Sequence, residues 1–515
     1  MKPFLVQHLL ESTCDKYPTK VAVKHGQDAI TFEQLNTRSG ALAYGLQKTG
    51  IGKGERVGIL LDKSMAQIIS LLGALRAEFI FVLLNSNLRE GQIQHILNDC
   101  GIKLLIASEK YSPRFQNIIK KTDVERVVWE SELDEIAAVY AGKTIQYSNT
   151  GDDIAGIIYT SGSTGMPKGI VISHRNLIEG AQIVSHYLGI TAAERILGLL
   201  PFNFDYGLNQ LISTLYKGCT LVLFKFFMPS AMLNILIDEK ISGLPAIPTV
   251  WSAVFNPQLC KIDPDRQYSN LRYISNTGGK LPVPIVKKIK RLFPATKLFL
   301  MYGLTESFRS TYLDPDEVDR RPDSIGKAIP NVRVEVINER GKICEAGEVG
   351  ELVHSGACVT KGYWNNPALT ARVFRPNPML PEDNQFLDRA VYSGDFVKKD
   401  REGFLYYIGR KDSMIKKDGY RISPTEVEEL LMGHPDVFEV VVCGVEGKRA
   451  KKEMVALVTA NRKLDIQELR KFCRHKAPEY LIPDRFLVMD QFAQTETGKI
   501  DRSRVIKEAL AEYDL

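Results

Sequence analysis

Cysteine is sparse in this sequence, and none of it is paired in a recognisable way. Eight cysteines, at 14, 100, 219, 260, 344, 358, 443 and 473, are scattered over 515 residues with no C-x-x-C among them. That spacing suggests neither a zinc site nor a disulfide framework; reduced thiols and a cytoplasmic location fit it. Long hydrophobic runs are also lacking. The stretch Ile68 to Leu75 falls well short of the roughly 20 apolar residues that span a bilayer, so no membrane span is expected. No signal-peptide pattern opens the chain, and Leu5-Val6-Gln7-His8-Leu9-Leu10-Glu11 reads as an amphipathic helix. Charge of one sign is not in excess: the formal net charge is only +6. Spread along the chain, it weakly favours anionic ligands and leaves no footprint for nucleic acid. The basic cluster Lys287-Lys288-Ile289-Lys290-Arg291 fits one solvated helix face. Internal repeats and low-complexity segments are missing as well. So is the P-loop pattern: at Gly498-Lys499, Ala493 stands where the first glycine belongs and Ile500 follows the lysine.

What is present is enough apolar material for a large core. The sequence is 44% hydrophobic and 25% charged, which suits a soluble globular protein of two or more domains. Up to about residue 300, strand-length apolar runs alternate with helical patterns. Val57 to Leu61, Phe79 to Leu84 and Leu104 to Ala107 read as strands; Ser64 to Arg76 and Glu90 to Asp99 read as helices. Leu221 to Phe224 and Leu298 to Met301 continue the rhythm. It predicts an α/β fold with doubly wound, mostly parallel sheets. After about 325, short strands at Val332–Ile337, Gly350–His354 and Phe404–Ile408, divided by Gly-rich turns, suggest a small β subdomain reaching to 411. Beyond Gly409-Arg410-Lys411-Asp412, strands Glu439–Gly444 and Met454–Thr459 with helix Ile466–His475 suggest a compact α+β domain. The expected division is 1–411 and 412–515.

Residues 159 to 169, Tyr-Thr-Ser-Gly-Ser-Thr-Gly-Met-Pro-Lys-Gly, carry the strongest chemical signal. Glycines let backbone N–H groups approach an anion, hydroxyls add short donors, and a lysine adds a point charge suited to phosphate. Apolar Ile154–Ile158 before it and Ile170–Ser173 after it read as strands. A strand–loop–strand cradle for phosphate is expected, rather than a flexible connector.

Four further groups follow in order. They are Met301-Tyr302-Gly303-Leu304-Thr305-Glu306, Tyr392-Ser393-Gly394-Asp395, Gly409 to Asp412 with Lys416, Gly419, Tyr420 and Arg421, and Thr497 to Arg502. Each alone could be a cap or a surface charge. Their joint order resembles the adenylate-forming superfamily of acyl-CoA synthetases, amino-acid adenylation domains and luciferases, over roughly residues 10 to 505. The resemblance implies a free-standing AMP-forming acid–thiol ligase working in two halves. A carboxylate attacks the α-phosphorus of ATP to give acyl-AMP and pyrophosphate; a pantetheine thiol, of CoA or a carrier protein, then displaces AMP.

By that resemblance, Thr160, Ser161, Gly162, Ser163, Thr164 and Lys168 hold the departing phosphates. Thr305 touches the α-phosphate and Glu306 carries Mg²⁺. Tyr302 stacks on adenine, Asp395 accepts the ribose hydroxyls, and Tyr407 and Arg410 close over the nucleotide. Lys499 matches the family's mobile catalytic lysine. Asp412 matches its hinge, about which a mobile C-terminal domain brings the loop of Lys416 and Gly419 to the site for thiol transfer. Phe492-Ala493-Gln494-Thr495 departs from the family in lacking the proline often found near the start of its last motif.

The acid itself is read from Leu200 to Gly207. Asp205 and Tyr206, with Gly278 and Gly279, are expected to line the acyl site. Phe204-Asp205 resembles the pattern of amino-acid adenylation domains, whose aspartate pairs with the substrate ammonium. A buried carboxylate is costly unless partnered, so Asp205 implies either a cationic or hydrogen-bonding substrate group or nearby backbone N–H donors. Tyr206-Gly207 is shared with the acyl-CoA branch, and Met301–Tyr312 and Asp323–Ala328 are similar to bacterial free-standing acyl ligases. Two enzymes therefore stay open: an acyl-CoA synthetase, or an amino-acid-adenylating enzyme loading a separate carrier protein. A catalytically dead ATP-binding scaffold is the reading from another class, and retention of Lys168, Glu306, Asp395, Arg410 and Lys499 speaks against it.

Overall fold

The computed structural model of the chain describes residues 2–161, 166–417, 420–446, 452–460, 464–495 and 498–512. Among them, six strands form one sheet in the order Arg126–Trp129, Leu104–Ala107, Arg56–Leu60, Ile80–Leu83, Ile154–Ser161, Pro167–Ser173. All neighbours run parallel except the last pair. Ile80–Leu83 and Leu104–Ala107 are buried at every position. Short apolar runs of this kind belong in parallel sheets covered by helices on both faces.

A second, larger sheet carries the site. Its parallel part runs Lys297–Tyr302, Tyr273–Asn276, Gly243–Ala246, Arg195–Gly198, Thr220–Leu223, Val21–His25. From Lys297–Tyr302 it continues antiparallel through Thr311–Leu313 and Ser324–Ala328 into Leu405–Arg410 and Arg389–Lys399. Val349–Gly356 and Val332–Ile337 complete that edge. The short strands expected after residue 325 thus extend the ladder that ends at Tyr302. This extension sets Asp395 and Arg410 beside that tyrosine.

Local signals place the helices that face the site. Ser173 caps helix His174–Tyr187 by accepting from Asn176 N at 3.2 Å, a contact worth about 1 kcal/mol. Asn176 Nδ2 in turn donates to the carbonyls of Ala357 and Val359, both at 3.0 Å. Helix Asp205–Lys217 starts tight against Leu200-Pro201 and ends at left-handed Gly218. A Cβ at Gly207 would fall 2.1 Å from the Pro201 carbonyl oxygen, so only glycine lets Asp205 sit this close to the sheet.

After Ser423 the chain builds a smaller unit. Helices Pro424–Met432 and Ile466–Lys476 accompany the sheet Val437–Glu446, Lys452–Ala460, Arg485–Val488. Val427, Leu431, Val442, Met454 and Leu469 form a core of its own, apart from the main one. The fold is the expected α/β architecture, with mixed sheets in a large N-terminal domain and a smaller C-terminal domain. Among the described residues, no helix is long and apolar enough to cross a membrane.

Candidate active site

Four residues singled out in the sequence meet where Lys297–Tyr302 joins the antiparallel strands. The Tyr302 hydroxyl donates to Asp395 Oδ2 at 2.5 Å. Arg410 lies directly across the ladder from Asp395 and donates through Nη1 to Oδ1 at 3.2 Å. Tyr407 lies beside them, its ring 6.4 Å from that of Tyr302. Asp395 is 6% exposed. Burial raises its carboxyl above the usual range, against the pull of Arg410 and the Tyr302 hydroxyl. Burial also pushes the Tyr302 phenol well up. Beneath Tyr302, His354 stacks at 6.0 Å and 15°. Its ring is fully buried with neither nitrogen partnered, and burial lowers its pKa to about 3. Its position inside a strand gave no sequence signal.

Glu306 and the phosphate hairpin are tied by one segment. Strands Ile154–Ser161 and Pro167–Ser173 pair antiparallel, with Thr160 opposite Lys168 and Ser161 opposite Pro167. Gly162, Ser163 and Thr164 lie outside the described residues. Gly169 and Val171 bond to the chain at 361–364 through Trp364 N at 2.8 Å and Lys361 N at 3.0 Å. From that segment, Thr360 N reaches the Glu306 carbonyl at 3.0 Å and the Tyr363 hydroxyl reaches Glu306 Oε1 at 2.5 Å. Thr305 is buried at the start of a single turn, Thr305–Ser307, that turns Glu306 toward this segment. Among the described residues, no group of three His, Cys, Asp or Glu gathers for a metal. Glu306 offers one hard carboxylate, a donor that suits a cation completing its shell with phosphate oxygens and water.

Lys499 enters from the C-terminal domain. Gln494 and Ile500 form an isolated antiparallel bridge, and Lys499 N bonds to Thr495 Oγ1 at 3.1 Å. The Thr249 hydroxyl holds the Gly498 carbonyl. Gly278, at φ +83°, leaves the lysine its channel: a Cβ there would lie 3.1 Å from Lys499 Cε. Gly279 packs on Pro248, where a Cβ would be 3.3 Å from Cγ. The ammonium sits 4.8 Å from the centre of the Phe204 ring. Burial lowers its pKa from the ordinary lysine value, Asp205 opposes that, and Arg309 adds to it.

Asp205 has a partner that the sequence did not reveal. Its Oδ2 accepts from Arg309 Nη1 at 2.8 Å, the side chains being 5% and 4% exposed. A guanidinium 104 residues away along the chain holds it. The only sequence signal was one basic residue in Ser307-Phe308-Arg309-Ser310. Tyr206 donates to the Ser275 carbonyl at 2.8 Å, which fixes the wall beside Asp205. Asp412 is exposed, 3.6 Å from Arg410 Nε. Lys416 pairs with Arg421 in a two-stranded ribbon, and Gly419 lies outside the described residues. Across the interface between the two domains, Lys280 forms an ion pair with Glu429 at 2.5 Å, a second contact that no motif marked.

Residues 10–364 match the AMP-binding enzyme family, and residues 426–499 match the AMP-binding enzyme C-terminal domain. The chain belongs to this family, within the adenylate-forming superfamily. Bacitracin synthase 1 of Bacillus licheniformis is 31% identical over 96% of the chain. Tyrocidine synthase 3 of Brevibacillus parabrevis is 29% identical over 98% of it. The chain spans only 9% and 8% of the lengths of these two relatives. Among solved structures, an anthranilate CoA ligase in complex with anthranoyl-AMP superposes with a TM-score of 0.91 at 24% identity, covering 100% of this chain and 99% of that one. The o-succinylbenzoate CoA synthetase of Bacillus subtilis, in complex with ATP and magnesium ion, gives 0.84 at 26% identity, covering 97% and 99%.

Proposed function

We propose that this protein activates a carboxylic acid as acyl-AMP, releasing pyrophosphate from ATP, and then passes the acyl group to a pantetheine thiol. The observation that carries this reading is Lys499, threaded beside Gly278 into the pocket of Phe204 and Asp205. An ammonium taken out of water there acts on carboxylate and phosphate oxygens far more strongly than a solvated one. In this reading Tyr302 receives adenine, and Asp395 with Arg410 and Tyr407 receives the ribose. Thr160, Ser161, Gly162, Ser163, Thr164 and Lys168 grip the leaving phosphates while Thr305 orients the α-phosphate. Mg²⁺, held by Glu306, would neutralise charge on the phosphate oxygens. Asp412 serves as the hinge and Lys416 and Gly419 as the thiol-side loop, with the boundary between mobile units at 411–412.

Two observations favour amino acids as substrates loaded on a separate carrier protein: the carboxylate of Asp205 and the tyrocidine and bacitracin synthases among the relatives. The pairing of Asp205 with Arg309 and the CoA ligases among the similar structures favour an acid without an ammonium group, and CoA. Pyrophosphate release over amino, aryl and fatty acids, with CoA and with carrier protein, separates them. Lys499→Ala should abolish adenylation while thioester formation from supplied acyl-AMP persists. Equal loss of both halves would remove Lys499 from its role, and silence with every acid would favour the scaffold.

A further inference from the structure

Arg309 is a buried cation with an unused edge. Its Nη1 serves Asp205 at 2.8 Å and the Phe308 carbonyl at 2.7 Å. Nε and Nη2 have no hydrogen-bond partner, although the side chain is only 4% exposed. Those two nitrogens form one edge of the guanidinium, with parallel N–H groups that match a planar pair of oxygens. Leaving them unmet is costly, and an acceptor brought in by a ligand would remove that cost.

A second donor points the same way. Asn209, one turn along the helix from Asp205 and 2% exposed, has an unpartnered Nδ2. Asn209 and Phe308 converge at Gly180, where a Cβ would lie 3.4 Å from Asn209 Nδ2 and 2.4 Å from Phe308 Cε1. Phe308, at φ +54°, is a non-glycine residue in the left-handed region, and this kink sets the position of Arg309. The guanidinium lies 5.0 Å from the Tyr206 ring centre, and its charge acts on Lys499. Arg309 therefore borders the pocket that the reacting carboxylate enters, Asn209 lies one helical turn from its partner Asp205, and unmet donors require an acceptor.

We propose that the acid activated here carries a second planar oxygen acceptor, a carboxylate or carboxamide, and that Arg309 with Asn209 receives it. This rests on the acid-activating reading above and narrows it to a substrate class. A plain fatty acid would bury those donors unpaired.

The test is acid-dependent ATP–pyrophosphate exchange by the full-length chain. The acids are valerate, glutaramate and glutarate, with butyrate, succinamate and succinate, benzoate and isophthalate, and glutamate as further arms. The acceptor-bearing acids should exceed their plain counterparts by about 10- to 100-fold in kcat/KM, mostly through KM. Diacid against half-amide tells which acceptor is used, and glutamate tells whether it belongs to an amino acid. Arg309→Met should collapse the ratio, and Arg309→Lys, which keeps a charge opposite Asp205 but loses the fork, should collapse it too. The lysine variant decides the matter if the methionine variant fails to fold. Equal rates for plain and acceptor-bearing acids, or a ratio that survives Arg309→Lys, overturns the proposal while leaving acid activation standing. No exchange with any acid removes the acid-activating reading itself.

Discussion

His354→Phe tests how the pocket beneath Tyr302 responds to acid. The wild-type imidazole is fully buried with no partner on either nitrogen, and burial lowers its pKa from 6.5 to about 3. Below pH 6.5 the unfolded chain takes up a proton that the folded chain refuses. Stability therefore falls with pH, and the loss is complete near pH 3. At about 1.36 kcal/mol per unit, the gap between 6.5 and about 3 amounts to about 5 kcal/mol. About 2 kcal/mol of it is gone by pH 5. Phenylalanine keeps the stack on Tyr302 and titrates nothing. Apparent melting midpoints measured from pH 7 to pH 5 should fall more steeply for the wild type than for the variant. His174, which burial lowers to about 4, is present in both proteins, so the difference between the curves isolates His354. AMP should raise both midpoints if Tyr302 keeps its place. Parallel pH curves would refute the reasoning.

Lys499, its pKa depressed by burial, should lose its proton before an ordinary lysine as pH rises. Adenylation should then decline on an alkaline limb below pH 10.5, while stability rises over the same window because the unfolded chain holds the extra proton. Activity and melting midpoint moving together there would contradict the assignment. Gly278→Ala adds about 1–2 kcal/mol of backbone strain. It also crowds Lys499 Cε at 3.1 Å, so pyrophosphate exchange should drop at least about tenfold. Thioester formation from supplied acyl-AMP should survive; a parallel loss would place the damage elsewhere. Lys280→Ala removes the partly buried tie to Glu429, worth about 1 kcal/mol. Adenylation should weaken several-fold and become less sensitive to salt than in the wild type. An unchanged salt slope would show that the pair does not help dock the C-terminal domain.

Much of the framework could be read from the sequence because it depends on short-range pattern. The run Leu104–Ala107 and the helix after Ser64 kept their limits, since continuous apolar strands and caps are local devices. Strand limits shifted where a partner, rather than hydrophobicity, sets the end. Ile154–Ser161 runs past its apolar stretch because Pro167–Ser173 supplies ladder partners as far as Ser161. Tyr302, Asp395, Tyr407 and Arg410 could be found from residue type and order, and the ladder brings them together. The Arg309–Asp205 pair could not, because neither periodicity nor a turn signal reports a contact between distant segments. His354 was hidden for another reason: in the strand pattern it occupies an inward position that an apolar residue would fill.

Lys499 lies further along the chain than every other member of the cluster. Under the proposed assignment, a ribosome completes the nucleotide-binding surface long before it adds the group that makes the surface reactive. A nascent chain stalled before Thr495 should bind AMP yet release no pyrophosphate, and a stalled-chain binding assay can check both. Synthesis order would then keep the unfinished protein from cleaving ATP before the group that acts on the acid is in place.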